Sequence, residues 1–301
     1  MRFGLDRLPQ LSATLRPLRA GRVGLLTHPA SVNQDLQHIG RVLHDLGVRP
    51  HRIFGPEHGY GGEAQDMIGV DHATDPVSGA PIVSLYGDSF DDLTPRADQL
   101  KDLDVALVDL CDVGSRYYTF IWTALLFVQA AHAAGVPVVL LDRPNPLGGT
   151  RLEGRPQNIR FLSFVGLRPV PVRHGRTVGE VVAEMAQQDG IAVGPKESLD
   201  VVAVQGWQRD DDAHDWDRAF VMPSPNMPTV DTAIVYPGGC LLEGTNLSEG
   251  RGTTRPFEVL GAPWLDGFRL ADALHALALP GFVARPMTFQ PTFHKHARKT
   301  C

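Results

Sequence analysis

The sequence predicts an α/β protein built on a mostly parallel sheet, and two observations carry that expectation. Short apolar runs alternate with segments of helical periodicity through most of the chain, and nearly every run breaks directly into a polar or glycine-containing motif. The first pattern belongs to repeated strand–helix–strand units, whose connections are right-handed and whose strands pair in parallel. In such sheets ligands bind beyond the carboxyl ends of the strands. The second pattern therefore gathers the polar motifs around one crevice.

The elements follow in order. Residues 22–26 (Arg-Val-Gly-Leu-Leu) form a buried-strand run, stopped by Thr27-His28-Pro29. Leu36, Ile39, Leu43 and Leu46 then recur at helical spacing until Gly47 ends the helix. Strands are expected at 48–54, 81–86, 105–110 and 136–141, with an apolar helix over 120–134 that Gly135 terminates. A helix over 178–188 and a strand over 199–204 complete the alternation. Residues 209–217 hold five aspartates and read as a solvated linker. This sets domains of 1–208 and 209–301. Beyond the linker, Pro223, Pro225 and Pro228 exclude regular structure, 232–236 reads as a short strand or a helix start, and 270–277 as an amphipathic helix.

Composition narrows the function. A chain of 301 residues with 43% hydrophobic and 21% charged residues has the balance of a soluble globular protein. A net charge of -6 and no basic stripe argue against nucleic acid as a partner. No apolar run approaches the roughly 20 residues of a membrane span, and the N-terminus lacks the apolar core of a signal peptide, so a cytoplasmic location is expected. Cys111, Cys240 and Cys301 are widely spaced, which fits a reducing compartment.

The chemistry is expected at Phe54-Gly55-Pro56-Glu57-His58-Gly59-Tyr60-Gly61-Gly62. A carboxylate and an imidazole stand side by side on a glycine-rich turn at the end of a strand. Glycine permits the sharp turn and lets a ligand approach the backbone. Other chemistries find no support. The first strand is not followed by a dinucleotide-binding glycine fingerprint, and neither a phosphate-binding loop nor a GxSxG elbow occurs. Cys240 sits among apolar neighbours and reads as a core thiol. The pair His294 and His296 is a weak metal signal, so no metal and no cofactor are expected. What remains is a carboxylate site surrounded by Arg, Asn and Tyr, the set that sugar hydrolysis requires.

The motifs Phe54-Gly-Pro-Glu-His-Gly59, Asp112-Val-Gly-Ser-Arg-Tyr-Tyr-Thr119, Leu141-Asp-Arg-Pro-Asn-Pro-Leu-Gly-Gly149, Pro223-Ser-Pro-Asn-Met-Pro-Thr229 and Leu242-Glu-Gly-Thr-Asn-Leu-Ser-Glu-Gly-Arg-Gly-Thr-Thr-Arg255 together resemble the NamZ family of exo-β-N-acetylmuramidases. The likeness runs from about Phe3 to Cys301. It implies a Rossmann-like N-terminal domain, a smaller α/β C-terminal domain, and an exo-acting glycoside hydrolase that releases N-acetylmuramic acid from the non-reducing end of peptidoglycan fragments. On this resemblance Glu57 is the catalytic acid/base and His58 orients it or holds a hydroxyl. Glu249 or Glu243 is the second carboxylate, with Glu249 slightly favoured and the other a structural acceptor. Arg116, Arg143 and Arg251 are candidates to grip the substrate's lactyl carboxylate, unless they pair with Asp112 or Asp142. Tyr117 and Tyr118 stack on sugar or pack as core, and Asn145, Asn226 and Asn246 bind hydroxyl or acetamido groups. Family members run on past Cys301, so the second domain is expected to be incomplete. A carbohydrate-binding protein without turnover, or another α/β hydrolase, are the competing readings.

Overall fold

A computed structural model describes residues 1–62, 73–87 and 89–301. The chain divides into two compact units, Met1–Pro225 and Asn226–Cys301. The first unit opens with a one-turn helix α1 (Gly4–Arg7) and helix α2 (Ser12–Ala20), which the sequence reading does not single out. Then come β1 (Val23–Thr27), α3 (Ile39–Asp45), β2 (Pro50–Gly55), the two-residue β3 (Ala73–Thr74), β4 (Pro81–Ser84), the short α4 (Ala97–Leu100), β5 (Val105–Asp109), α5 (Phe120–Ala133), β6 (Val138–Leu141), α6 (Val178–Gln188) and β7 (Leu199–Val202). Every strand and helix expected between residues 22 and 204 is present, most with trimmed ends.

The seven strands form one sheet in the order β3-β4-β2-β1-β5-β6-β7. All pairings are parallel except that of β3 with β4. The chain starts in the middle at β1, builds outward through β2 and β4, then crosses to β5 and continues through β6 and β7. This is the Rossmann-like order, and its direction reverses between β1 and β5. The central strands β1 and β5 are buried along their whole length, which is why they read as unbroken apolar runs rather than alternating ones. Helix α5 buries Phe120, Ile121, Trp122, Leu125, Phe127 and Val128, and Phe127 meets Phe54 of β2 edge-on at 5.1 Å.

A buried ion pair ties the ligand-bearing edge of the sheet together. Asp109, the last residue of β5, is fully buried and accepts from Arg143 Nε and, at 2.8 Å, from Arg143 Nη2. The same Nη2 donates to Val32 O after β1 at 3.0 Å, and Ser31 Oγ donates to Asp109 O at 2.5 Å. Loops following β1, β5 and β6 thus share one clamp.

The division of the chain falls after Pro225 rather than at 208/209. Residues 205–224 are sewn into the first unit: Gly149 N donates to Arg209 O, Trp216 packs edge-on to Phe3 at 5.4 Å, and Arg218 pairs with Asp6 at 2.8 Å. The aspartate-rich stretch is a tethered edge of the unit and not a linker.

The second unit carries α7 (Val230–Gly239), started by Thr229 Oγ1 accepting from Thr232 N, and α8 (Gly267–Ala276), capped by Asp266. Residues 232–236 are therefore helix. A bridge joins Ser248 to Gly261, and Phe289 exchanges backbone hydrogen bonds with Cys301. Among the described residues no helix is long and apolar enough to cross a membrane.

Removing one partner of a buried pair leaves an uncompensated charge. Arg143→Met is expected to cost about 3–5 kcal/mol in urea denaturation, with Asp109→Leu added to it restoring part of the loss. A stable Arg143→Met variant with raised KM would instead assign Arg143 to substrate.

Candidate active site

Glu57 follows β2 directly, on a turn that only glycine-rich sequence can make. The chain folds back so closely that a Cβ on Gly55 would lie 2.7 Å from Tyr60 N. Gly59 N donates to Pro56 O at 3.0 Å. His58 sits at φ +71, in the left-handed region, and is buried. That conformation costs a non-glycine residue about 1 kcal/mol or more, and such strain gathers at functional turns.

The Glu57 side chain is half-buried, and its Oε2 accepts from Thr119 Oγ1 at 2.8 Å. Thr119 occupies the N-cap of α5, yet its hydroxyl makes no capping bond. The hydroxyl is given to Glu57 instead. The carboxylate therefore rests at the positive end of a 14-residue helix, where negative charge is favoured. Beside it opens a cleft of about 220 Å³ whose walls include Tyr86, Trp122, Thr123, Leu126 and Phe164. One acid, held by the Thr119 hydroxyl, beside a partly exposed Phe164 forms an arrangement that can protonate a glycosidic oxygen next to an apolar face.

A larger cavity of about 480 Å³ lies at the switch point, lined by Phe3, Val32, Cys111, Asp112, Arg143, Trp216, Arg218 and Pro223 among others. Its charged residues are already engaged: Arg143 with Asp109, Arg218 with Asp6, and Asp112 Oδ2 with His174 Nε2 at 2.9 Å. Its size exceeds that of the Glu57 cleft, and its one described acid, Asp112, is buried and also accepts from Gly114 N at 2.7 Å.

His28 fixes the loop that borders both regions. Its Nε2 accepts from Cys111 N at 3.0 Å, so Nδ1 carries the proton and donates to Pro223 O at 3.4 Å. Burial, with the Arg143 charge adding to it, lowers the His28 pKa to about 3. The ring is neutral and structural.

Several residues nominated from sequence build this scaffold. Arg116 Nη1 donates to Arg155 O at 3.0 Å and Val170 O at 2.7 Å, and the guanidinium lies over Tyr117 at 5.1 Å. Asn145 is fully buried, donating to Arg176 O at 2.8 Å and accepting from Leu147 N at 2.8 Å. Asp142 Oδ1 accepts from Gly179 N at 2.6 Å, and burial raises its pKa to about 6. Tyr118 is buried against Phe120 at 4.9 Å, and burial pushes its hydroxyl well above the usual phenol range. None of these side chains lines the cleft beside Glu57.

In the second unit, Glu249 is fully buried and meets two cationic groups, Lys295 Nζ at 3.0 Å and Arg251 Nε at 3.5 Å, with the His294 imidazole Nδ1 at 3.2 Å. Lys295 also donates to three backbone carbonyls. Arg251 pairs with Glu243 at 2.5 Å, whose side chain keeps 34% of its exposure. Of the two candidate carboxylates, Glu249 has the surroundings of a structural acceptor and Glu243 the more accessible position. Asn246 is exposed and Asn226 buried. Burial pushes the Cys240 thiol up to about 12, as befits a core thiol rather than a nucleophile.

Of the described residues lining the cleft, the sequence assigned a site role only to Glu57, and Tyr86, Leu93, Thr119, Trp122, Thr123, Leu126 and Phe164 were missed. Thr119 stood in a quoted motif, and its position just before an apolar helix was its only signal. Phe164, far along the chain, gave none.

Two family profiles, described as exo-beta-N-acetylmuramidase NamZ, N-terminal and C-terminal, match residues 23–231 and 234–301. The chain belongs to the NamZ family. It is 42% identical over 299 residues to the peptidoglycan beta-N-acetylmuramidase NamZ of Bacillus subtilis (strain 168), a match covering 99% of this chain and 70% of that protein. Crystal structures of two DUF1343 family proteins from Bacteroides fragilis NCTC 9343 resemble it. One has a TM-score of 0.87 at 32% identity, covering 99% of this chain and 75% of the other; the second has 0.76 at 27%, covering 100% and 74%. The family match falls on the expectation drawn from the motifs.

A neutral His28 in the folded state and an ordinary one in the unfolded state make stability pH-dependent. Its contribution is complete above pH 6.5 and is lost as pH falls toward 3, at about 1.4 kcal/mol per pH unit. Urea denaturation between pH 7 and 4 should show a shallower acid slope for His28→Gln than for the native chain. Parallel slopes would contradict the assignment.

Proposed function

We infer that this chain is an exo-acting glycoside hydrolase that releases N-acetylmuramic acid from the non-reducing end of peptidoglycan fragments, with Glu57 protonating the leaving oxygen. Family membership supports the activity. The observation that carries the role of Glu57 is its placement: partly open to solvent, anchored by Thr119 at the head of α5, and facing an aromatic-walled cleft.

In this reading Thr119 holds Oε2, which leaves Oε1 to deliver the proton. Proton transfer then offsets the negative charge developing on the leaving oxygen, while Phe164, the partly exposed aromatic residue of the cleft, offers the sugar an apolar face. His58, held in its strained turn conformation, keeps Glu57 directed at the cleft. Among the described residues lining the cleft, Glu57 is the only acid. That favours a route in which the substrate's own acetamido oxygen attacks the anomeric carbon, an established exception to the two-carboxylate scheme. Release of such sugars suits turnover of the cell wall.

Glu57→Gln keeps the shape and the Thr119 contact while removing the proton. On a chromogenic β-glycoside of N-acetylmuramic acid it should lose on the order of 100-fold or more in kcat. A rate near that of the native chain would discard the assignment.

A further inference from the structure

The three arginines first matched to the substrate's carboxylate are all engaged elsewhere: Arg116 on backbone carbonyls, Arg143 on Asp109, Arg251 on Glu243 and Glu249. In the first unit and among the described residues, five arginines make no ion pair or side-chain hydrogen bond: Arg16, Arg49, Arg151, Arg155 and Arg160. Arg16 lies on α2, and Arg49 precedes β2, at the edge of the sheet opposite the cleft. The remaining three are exposed and crowd one segment, residues 151–164. The only acid on that segment, Glu153, is already paired with Arg173 at 3.0 Å.

This segment reaches the Glu57 cleft at its last residue and is tied at its middle to the loop that carries Thr119. Its last residue, Phe164, forms part of the cleft wall. Its middle is held by Arg116, three positions before the threonine that anchors Glu57, through the bond to Arg155 O. The segment also leaves Ile159 and Phe161 more than 70% exposed on either side of Arg160. A chain of net charge -6 thus carries three exposed, unpaired arginines with apolar neighbours on the segment whose last residue walls the cleft.

We propose that Arg151, Arg155 and Arg160 bind a carboxylate of the peptidoglycan fragment and so set the preference for acidic substrates. The proposal rests on the muramidase reading. Guanidinium forks match carboxylates in a two-point geometry that an ammonium cannot reproduce, and a fragment of this class carries the carboxylate in one of two places, on the lactyl ether or on an attached peptide. Ile159 and Phe161 would cover the methyl groups that flank it in either case. No bond is made or broken here; the segment acts on binding, and Glu57 on chemistry.

The test compares the full chain with its Arg155→Ala/Arg160→Ala variant on three chromogenic muramic-acid glycosides: free lactyl acid, lactyl methylamide, and lactyl group extended by an alanyl-glutamate dipeptide. The variant should raise KM roughly ten-fold or more on the acids, with kcat nearly unchanged and KM on the methylamide unaltered, which also shows that the fold is intact. A rise on the free lactyl acid assigns the arginines to the lactyl group, and a rise confined to the dipeptide substrate assigns them to the peptide. An Arg155→Lys/Arg160→Lys variant should recover only part of the affinity. Equal KM values for native and variant on both acids, or an equal rise on the neutral methylamide, would overturn the proposal. Should the native chain hydrolyse none of the three, the muramidase reading fails first. Calorimetry with the non-chromogenic dipeptide sugar then decides this inference alone: tighter binding to the native chain than to the variant upholds it, and identical affinities reject it.

Discussion

The site depends on the way three loops at one edge of the sheet are locked by the Asp109–Arg143 pair. A parallel sheet brings the carboxyl ends of its strands to a common edge, but it does not by itself fix the loops that leave them. Here Arg143, leaving β6, reaches both the carboxylate at the end of β5 and the Val32 carbonyl beyond β1. His28 adds a neutral strut from β1 to the Cys111 amide and the Pro223 carbonyl. Buried charge is tolerable because every strong partner is supplied, and the result is an edge with little freedom.

Against that fixed edge, Glu57 gains its character from what surrounds it. Gly55 and the left-handed His58 turn the backbone so tightly that the glutamate emerges beside the head of α5. Thr119 gives its hydroxyl to the carboxylate instead of to its own helix. A general acid must be both held and accessible, and this combination supplies the two conditions. The larger cavity at the switch point has one described acid, Asp112, which is buried and held by His174 and the Gly114 amide, whereas Glu57 is partly open to solvent.

Much of this was legible in the sequence, for physical reasons. Residues 105–110 and 136–141 read as buried strands because a sheet covered on both faces selects continuous apolar runs. Helix α6 was read at its observed bounds, Val178–Gln188, and Thr177 and Glu180 form the capping box that starts it. The turn at Glu57 was legible because only glycine and proline permit it. Burial of individual polar groups was not. Arg116, Arg143 and Asn145 resembled ligand-binding residues because the same donors that grip a substrate also satisfy backbone carbonyls inside a loop, and sequence does not record which partner wins. The boundary at 208/209 moved for a similar reason: an aspartate-rich stretch looks solvated until Arg218, Trp216 and Pro223 are seen to pin its continuation to the first unit.

A rigid sheet edge, a strained turn and one anchored carboxylate together support the proposed role of Glu57. The most direct trial of that role is a crystal structure of the Glu57→Gln chain holding an uncleaved muramic-acid disaccharide. The glycosidic oxygen is expected within about 3 Å of the residue 57 side chain, with the sugar against Phe164. A disaccharide ordered instead in the cavity between Phe3 and Arg218, with residue 57 out of reach of the glycosidic oxygen, would contradict it.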